Sequence, residues 1–270
     1  MRPAFSFCGI EPETPQPYRS ALSLGPGNLK TVIVDNDTLC ITYTPGDTDT
    51  AVVTFSGIGL AVGDTPQEEF VKTQQGAVHA QFFVIDKVRS WYNATAPEIV
   101  SHLAPLLPRY RKVVTLGNSM GGFGAAYFAF RLPNCRAAIA FVPQFSVRRA
   151  LVPKERRWRE FRIKIGAWNV QHAMEQANEG PELLLFFGAQ EPRDMEHLTL
   201  FQRHATKRTS IFVLDETKHG AARYLKQHGH LRPLLDTVIL RDEGAEGVER
   251  LLNRLQVPHT FWTGSAAPQQ

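Results

Sequence analysis

Residues 111–130 constrain this chain more than any other stretch. An apolar run, Val113-Val114-Thr115-Leu116, leads into Gly117-Asn118-Ser119-Met120-Gly121-Gly122 and then into an Ala- and Phe-rich helical pattern. A G-x-S-x-G sequence set between a strand and a helix makes a tight turn that lifts its serine above the sheet. Such a turn crowds its neighbours, and Gly117 and Gly121 have no Cβ to clash there. Small residues beyond it (Gly122, Gly124, Ala125, Ala126) let the helix pack close to the sheet. The helix N-terminus then aims free backbone N–H groups at the space beside the serine. Without its flanks the same hexapeptide is a glycine-rich turn whose serine caps a helix. With them, a nucleophile is the better reading.

The rest of the chain alternates short apolar strands with helical patterns. Residues 1–28, rich in Pro and Gly, read as an extended lead-in to a domain spanning 29–240. Leu29–Val34 and Thr38–Tyr43 form an expected hairpin around Asp35-Asn36-Asp37. Ala51–Phe55 and Gln81–Asp86 are further strands, and Pro97–Leu107 has helical spacing closed by Pro108. After the central turn come strands at Cys135–Phe141, Glu182–Phe187 and Ser210–Leu214, the last of which reads as the final strand. Helices are expected from about Asp194, near His219 or Gly220, and near Leu231. Residues 241–270 carry a short helix (Val248–Leu255) and a polar tail. Between residues 147 and 180 the alternation breaks into an Arg- and Trp-rich insertion.

This pattern predicts an α/β fold with a mostly parallel sheet covered by helices on both faces. An opening hairpin, with the serine turn after the fifth strand, resembles the α/β-hydrolase superfamily over roughly residues 30–240. The resemblance implies a serine hydrolase whose acid and histidine follow the serine in that order, on loops after later strands. His219, in the loop Asp215–Gly220, is then the expected general base. His228 and His230 lie beyond the next helix, and His197 and His204 lie on the helix after the acid loop. The acid is expected in Gly188–Asp194, where both Glu191 and Asp194 qualify. Glu191 has the G-x-x-acid spacing, and Asp194 has the usual residue type but could instead cap a helix. The Asp194-x-x-His197 pairing is also similar to α/β-hydrolases associated with bacterial surface-polysaccharide glycosyltransferases, and the choice leans to Asp194. An oxyanion hole is expected from the backbone N–H groups of Met120 and Ile58, the latter following Ser56-Gly57.

The insertion bears on the substrate. From Gln144 to Ile165 eight basic residues meet two acidic ones, a net +6, against +4 for the whole chain. A basic cap over the serine would favour an anionic ligand such as an acidic sugar or a phosphorylated molecule. The plainer reading is a solvated helix with Leu151, Val152, Trp158, Phe161 and Ile165 turned to the sheet. Trp91, Tyr92, Phe145 and Trp158 are candidate pocket residues that could stack on sugar faces, or core.

Other classes fit poorly. Net charge +4 is too mild for a nucleic-acid partner, and no apolar run approaches the roughly 18–20 residues that span a bilayer. Three scattered cysteines make neither a disulfide framework nor a zinc pattern, which points to a reducing cytoplasm; no secretory h-region is evident. No metal or cofactor is expected: Gly57-Ile58-Gly59 fails the G-x-G-x-x-G spacing of a nicotinamide site. The sequence thus predicts cleavage of a small-molecule or carbohydrate-linked ester through an acyl-enzyme on Ser119. An acyltransferase with the same triad, or a non-catalytic binding protein of this fold, are the alternatives. Oligomeric state is not legible.

Overall fold

Six strands carry the parallel core: β3 (Thr50–Phe55), β4 (Ala80–Asp86), β5 (Lys112–Asn118), β6 (Cys135–Phe141), β7 (Glu182–Gly188) and β8 (Thr209–Leu214). The computed structural model describes residues 30–59, 66–174 and 180–264; the expected lead-in and the polar end of the tail lie outside them. Ahead of the core, β1 (Thr31–Asp35) and β2 (Leu39–Thr44) form the antiparallel hairpin. Asn36 Oδ1 closes its turn by accepting the Thr38 and Leu39 N–H groups at 3.0 and 2.8 Å. The spatial order is β1-β2-β4-β3-β5-β6-β7-β8-β9, with β2 antiparallel to β4.

The core strands are apolar throughout because both faces are covered. In β7, Leu183, Leu185 and Phe187 join one hydrophobic cluster while Leu184 and Phe186 join the other. On the first face lie α1 (Ala96–Leu103), α2 (Met120–Ala129) and α4 (Pro192–Arg203), through Ile99, Phe123 and Phe201. On the second lie α5 (Ala221–Gln227), α6 (Leu231–Ile239) and α7 (Gly244–Arg254), through Leu225, Leu235 and Leu251.

Three expectations need correction. Helix α1 stops at Leu103, well before Pro108, because Pro105 has no N–H to continue the ladder. Pro108 instead sits inside a single 3-10 turn, Leu107–Arg109. Strand β8 is the last parallel strand but not the last strand. A ninth, β9 (His259–Thr263), pairs antiparallel to its outer edge and stacks Phe261 on Phe212 at 4.7 Å between ring centres. Finally, the insertion is not a continuous helix. Among its described residues the one helical turn is α3 (Arg159–Arg162), entered through Trp158 at φ +61°. Val152 and Ile165 are buried as expected, but Leu151 is 36% exposed.

Candidate active site

Ser119 sits between β5 and α2 with φ +56° and ψ −117°, a conformation L-residues adopt only when surroundings compel it. Two glycines permit it. A Cβ on Gly117 would lie 2.0 Å from the Gly121 carbonyl oxygen, and one on Gly121 would lie 2.2 Å from the Phe55 oxygen. The Ser119 N–H is tied to the Phe141 carbonyl at the end of β6 (2.8 Å).

The loop after β8 brings His219 to this turn. His219 Nε2 lies 3.0 Å from Ser119 Oγ, and its Nδ1 lies 2.7 Å from Asp194 Oδ2. Asp194 is in the first turn of α4 and is 1% exposed. Glu191 is not part of this chain of contacts. It is the N-cap of α4, accepting the Arg193 N–H at 3.3 Å and pairing with the Arg193 guanidinium at 2.7 Å.

The insertion supplies the other side of Asp194. Arg157 Nη2 donates to Asp194 Oδ1 at 2.9 Å, and its Nη1 is 3.4 Å from His219 Nδ1. The same guanidinium grips Glu155 through Nε and Nη2, at 3.0 and 2.6 Å. His197 Nε2 meets Glu155 Oε2 at 3.1 Å, while its Nδ1 accepts the Phe145 N–H at 3.1 Å. Burial pushes the Glu155 carboxyl up, but the hydrogen bonds from His197 and Arg157 and the Arg157 charge outweigh it and hold the pKa down to about 2. Burial also pulls on the Arg157 guanidinium, yet Glu155 and Asp194 keep it firmly charged. Arg157 is thus shared between Glu155 and Asp194, whose other oxygen faces His219. Of the eight basic residues in this segment, Arg157 and Arg162 are spent internally, Arg162 Nη1 donating to the Glu155 carbonyl at 2.8 Å. Arg148 is half-buried, and Arg149, Lys154, Arg156, Arg159 and Lys164 are exposed.

The loop after β3 passes beside the turn: a Cβ on Gly57 would lie 3.1 Å from the Asn118 oxygen. Three anchors hold this loop. Tyr92 O–H donates to the Ser56 carbonyl (2.7 Å), Arg89 Nε donates to the Ile58 carbonyl (2.8 Å), and the Gly57 N–H donates to Glu69 Oε1 (3.0 Å). Met120 is the first residue of α2, where a backbone N–H has no intrahelical acceptor. Glu69 also lines a cavity of about 300 Å³ with Thr73, Asn118, His219 and Arg223, and burial raises its pKa to about 7 against the Gly57 hydrogen bond. A larger opening, about 680 Å³ between Leu151 and α4, is lined by none of Ser119, His219 or Asp194.

The expected aromatic lining is mostly absent. Trp91, Tyr92 and Phe145 are 0–1% exposed and face no opening, because rings of this size gain more in the core than at a rim. Trp91 and Tyr92 act through their polar atoms instead, Trp91 Nε1 donating to Gln144 Oε1 at 3.1 Å and Tyr92 O–H to the Ser56 carbonyl, while Phe145 packs its ring on Phe201 and His204. Trp158 is half-buried and packs against the core. Gln144 was not expected at all, yet its Nε2 lies 3.0 Å from Ser119 Oγ. A lone amide inside the apolar run Ala140–Phe145 was its only signal. Among the described residues there is no group of three metal-ligating side chains and no helix long and apolar enough to cross a membrane.

No family model matches the sequence, and no curated protein matches it. Solved structures do. Esterase 2 of Thermogutta terrifontis, phosphonylated by sarin, superposes with a TM-score of 0.57 at 19% identity, over 82% of this chain and 97% of that one. The capsule O-acetyltransferase of Neisseria meningitidis serogroup A, in complex with CoA, gives 0.54 at 12% identity, over 73% and 93%. A 2,6-dihydroxy-pseudo-oxynicotine hydrolase gives 0.54 at 14% identity, over 82% and 71%. At these identities the likeness is one of fold, and the fold is that of the α/β-hydrolases.

Proposed function

We propose that this α/β-hydrolase-fold chain is a serine acyl hydrolase. One observation carries the reading: the continuous chain of contacts from Ser119 Oγ through His219 to a buried carboxylate, at 3.0 and 2.7 Å. In this reading Asp194 is the acid and Glu191 a helix cap. Ser119 Oγ attacks the carbonyl carbon while its proton passes to His219 Nε2. Asp194 holds the imidazole by Nδ1 and stabilises the cation that forms. The Met120 and Ile58 N–H groups face the oxyanion. Collapse of the tetrahedral adduct expels the leaving alkoxide, which takes the proton from His219. Water then attacks the acyl-enzyme, giving its proton to His219, and Ser119 leaves with that proton restored.

The exposed cations of residues 149–164 suit an anionic or carbohydrate-linked ester, drawn in by their local field. Free thiols at Cys40 and Cys135 suit the reducing cytoplasm. Ser119 keeps only 7% of its surface open, so what reaches the acyl-enzyme decides the outcome. Water gives hydrolysis; a sugar hydroxyl gives acyl transfer with the same groups.

A fluorophosphonate probe tests the core of the proposal. The wild-type protein is expected to be labelled at Ser119 and Ser119→Ala to be silent; a folded wild-type sample that takes no label sinks it. Product analysis on acetyl and butyryl esters, with and without an acceptor sugar, then separates hydrolysis from transfer.

A further inference from the structure

We infer that Gln144 is a catalytic residue, an amide donor fixed on the nucleophile oxygen itself; the inference rests on Ser119 being the nucleophile. Gln144 is 0% exposed and follows β6 directly. Its two ends are assigned by chemistry. An indole N–H can only donate, so the atom facing Trp91 Nε1 at 3.1 Å is the amide oxygen, and the atom facing Ser119 Oγ at 3.0 Å is the NH₂ nitrogen. A serine hydroxyl has one proton and two lone pairs. The proton points to His219, one lone pair takes the Gln144 N–H, and the other is left to attack.

The molecule spends strain to hold this arrangement. Trp91 belongs to a turn in which Arg89, Trp91 and Tyr92 all have positive φ, at +54°, +51° and +61°. Left-handed conformations at bulky residues persist only where the surroundings over-determine them. Here the buried Asp86 does so, its Oδ2 accepting the Ser90 N–H, the Ser90 O–H and the Tyr92 N–H at 2.8, 2.9 and 2.8 Å. The turn delivers three anchors to the site: Arg89 to the Ile58 carbonyl, Tyr92 to the Ser56 carbonyl, and Trp91 to Gln144.

A donor at this place acts when charge sits on Oγ. That occurs as the proton leaves for His219 and the C–Oγ bond forms, and again in deacylation as the bond breaks and Oγ departs before recovering its proton. Between these points the charge lies on the carbonyl oxygen, and the backbone donors take over.

The test is the second-order rate of fluorophosphonate labelling across pH, with melting curves to confirm folding. Gln144→Leu is expected to label at least about tenfold more slowly, the size of one lost hydrogen bond to a charged oxygen. Gln144→Glu keeps the shape and the Trp91 contact but turns an acceptor toward Oγ. It is expected to be slow and to move the acid limb of the pH profile upward, because an added anion stabilises protonated His219. Trp91→Phe leaves Gln144 in place but frees its amide to flip, for a loss of about threefold. A folded Gln144→Leu that labels at the wild-type rate, or a Gln144→Glu with an unmoved acid limb, overturns the inference. A wild-type protein that takes no label overturns the nucleophile reading and this one with it.

Discussion

The two sides of the site are held by different physics. On the serine side the backbone does the holding. Gly117 and Gly121 let β3, β5 and α2 approach until a single added carbon would touch a carbonyl oxygen at 2.0–2.2 Å. On the acid side the backbone is irregular, with one turn of helix in the whole of residues 147–174, and side chains do the holding. Arg157 bridges Glu155 and Asp194, and His197 closes the far end. A side built from close backbone contact tolerates no added atom. A side built from charges tolerates shape changes but not the loss of one partner.

The sharpest way to break this comparison is Gly117→Ala. The clash is with backbone, which cannot rotate away, so the expected cost is about 4 kcal/mol or more, at the extreme of single substitutions. Denaturant unfolding measures it. A Gly117→Ala protein with an unchanged midpoint would mean that the turn is looser than the contact distances require.

On the acid side the matching change is Arg157→Met, which keeps bulk and removes charge. Glu155 and Asp194 are then left buried without their shared cation, and breaking a buried pair in this way costs about 3–5 kcal/mol. Ser119 labelling should slow as well, since Asp194 loses the contact that fixes its second oxygen. Adding Glu155→Gln to Arg157→Met should recover part of the stability, because one of the two stranded charges is gone. If the double variant's loss relative to wild type equals the sum of the Arg157→Met and Glu155→Gln losses, the three groups do not act as a unit.

This contrast also governs what could be read from the sequence. The turn at Ser119 is local: five consecutive residues specify a strand-to-helix geometry, and the strand order follows from the alternation around it. His219 was reachable because it follows a recognisable strand. Arg157 and Glu155 counted only as entries in a charge run, since nothing in residues 147–165 marks which arginine turns inward. Their roles depend on partners some forty positions away in α4, a distance over which residue spacing carries no signal. Trp91 and Tyr92 were legible as large aromatics but not as hydrogen-bond donors, because their orientation comes from a strained turn with no glycine to announce it. β9 was missed for a related reason, being five residues on an edge whose pattern blends into the tail.

The subtlest test uses pH, because the two sides carry acids shifted in opposite directions. Glu155 has a folded pKa of about 2, below its ordinary 4.5. It contributes stability above pH 4.5, which is lost as pH falls from 4.5 toward 2, by at most about 3 kcal/mol. Glu69, beside Gly57, is raised from 4.5 to about 7. Its sign is reversed: the folded state favours the protonated acid, so stability falls as pH rises from 4.5 through 7. Partial solvent access reduces this to about 1 kcal/mol. Urea unfolding from pH 3 to 8 on Glu155→Gln and Glu69→Gln should therefore give opposite results. Glu155→Gln should be less stable than wild type at pH 7, with the gap closing toward pH 3. Glu69→Gln keeps an acceptor for the Gly57 N–H and should be more stable than wild type at pH 8, with the gap closing toward pH 5. Should both variants shift in the same direction at pH 8, the serine side would also be held by an ionised carboxylate, and the division between backbone and charge would not stand.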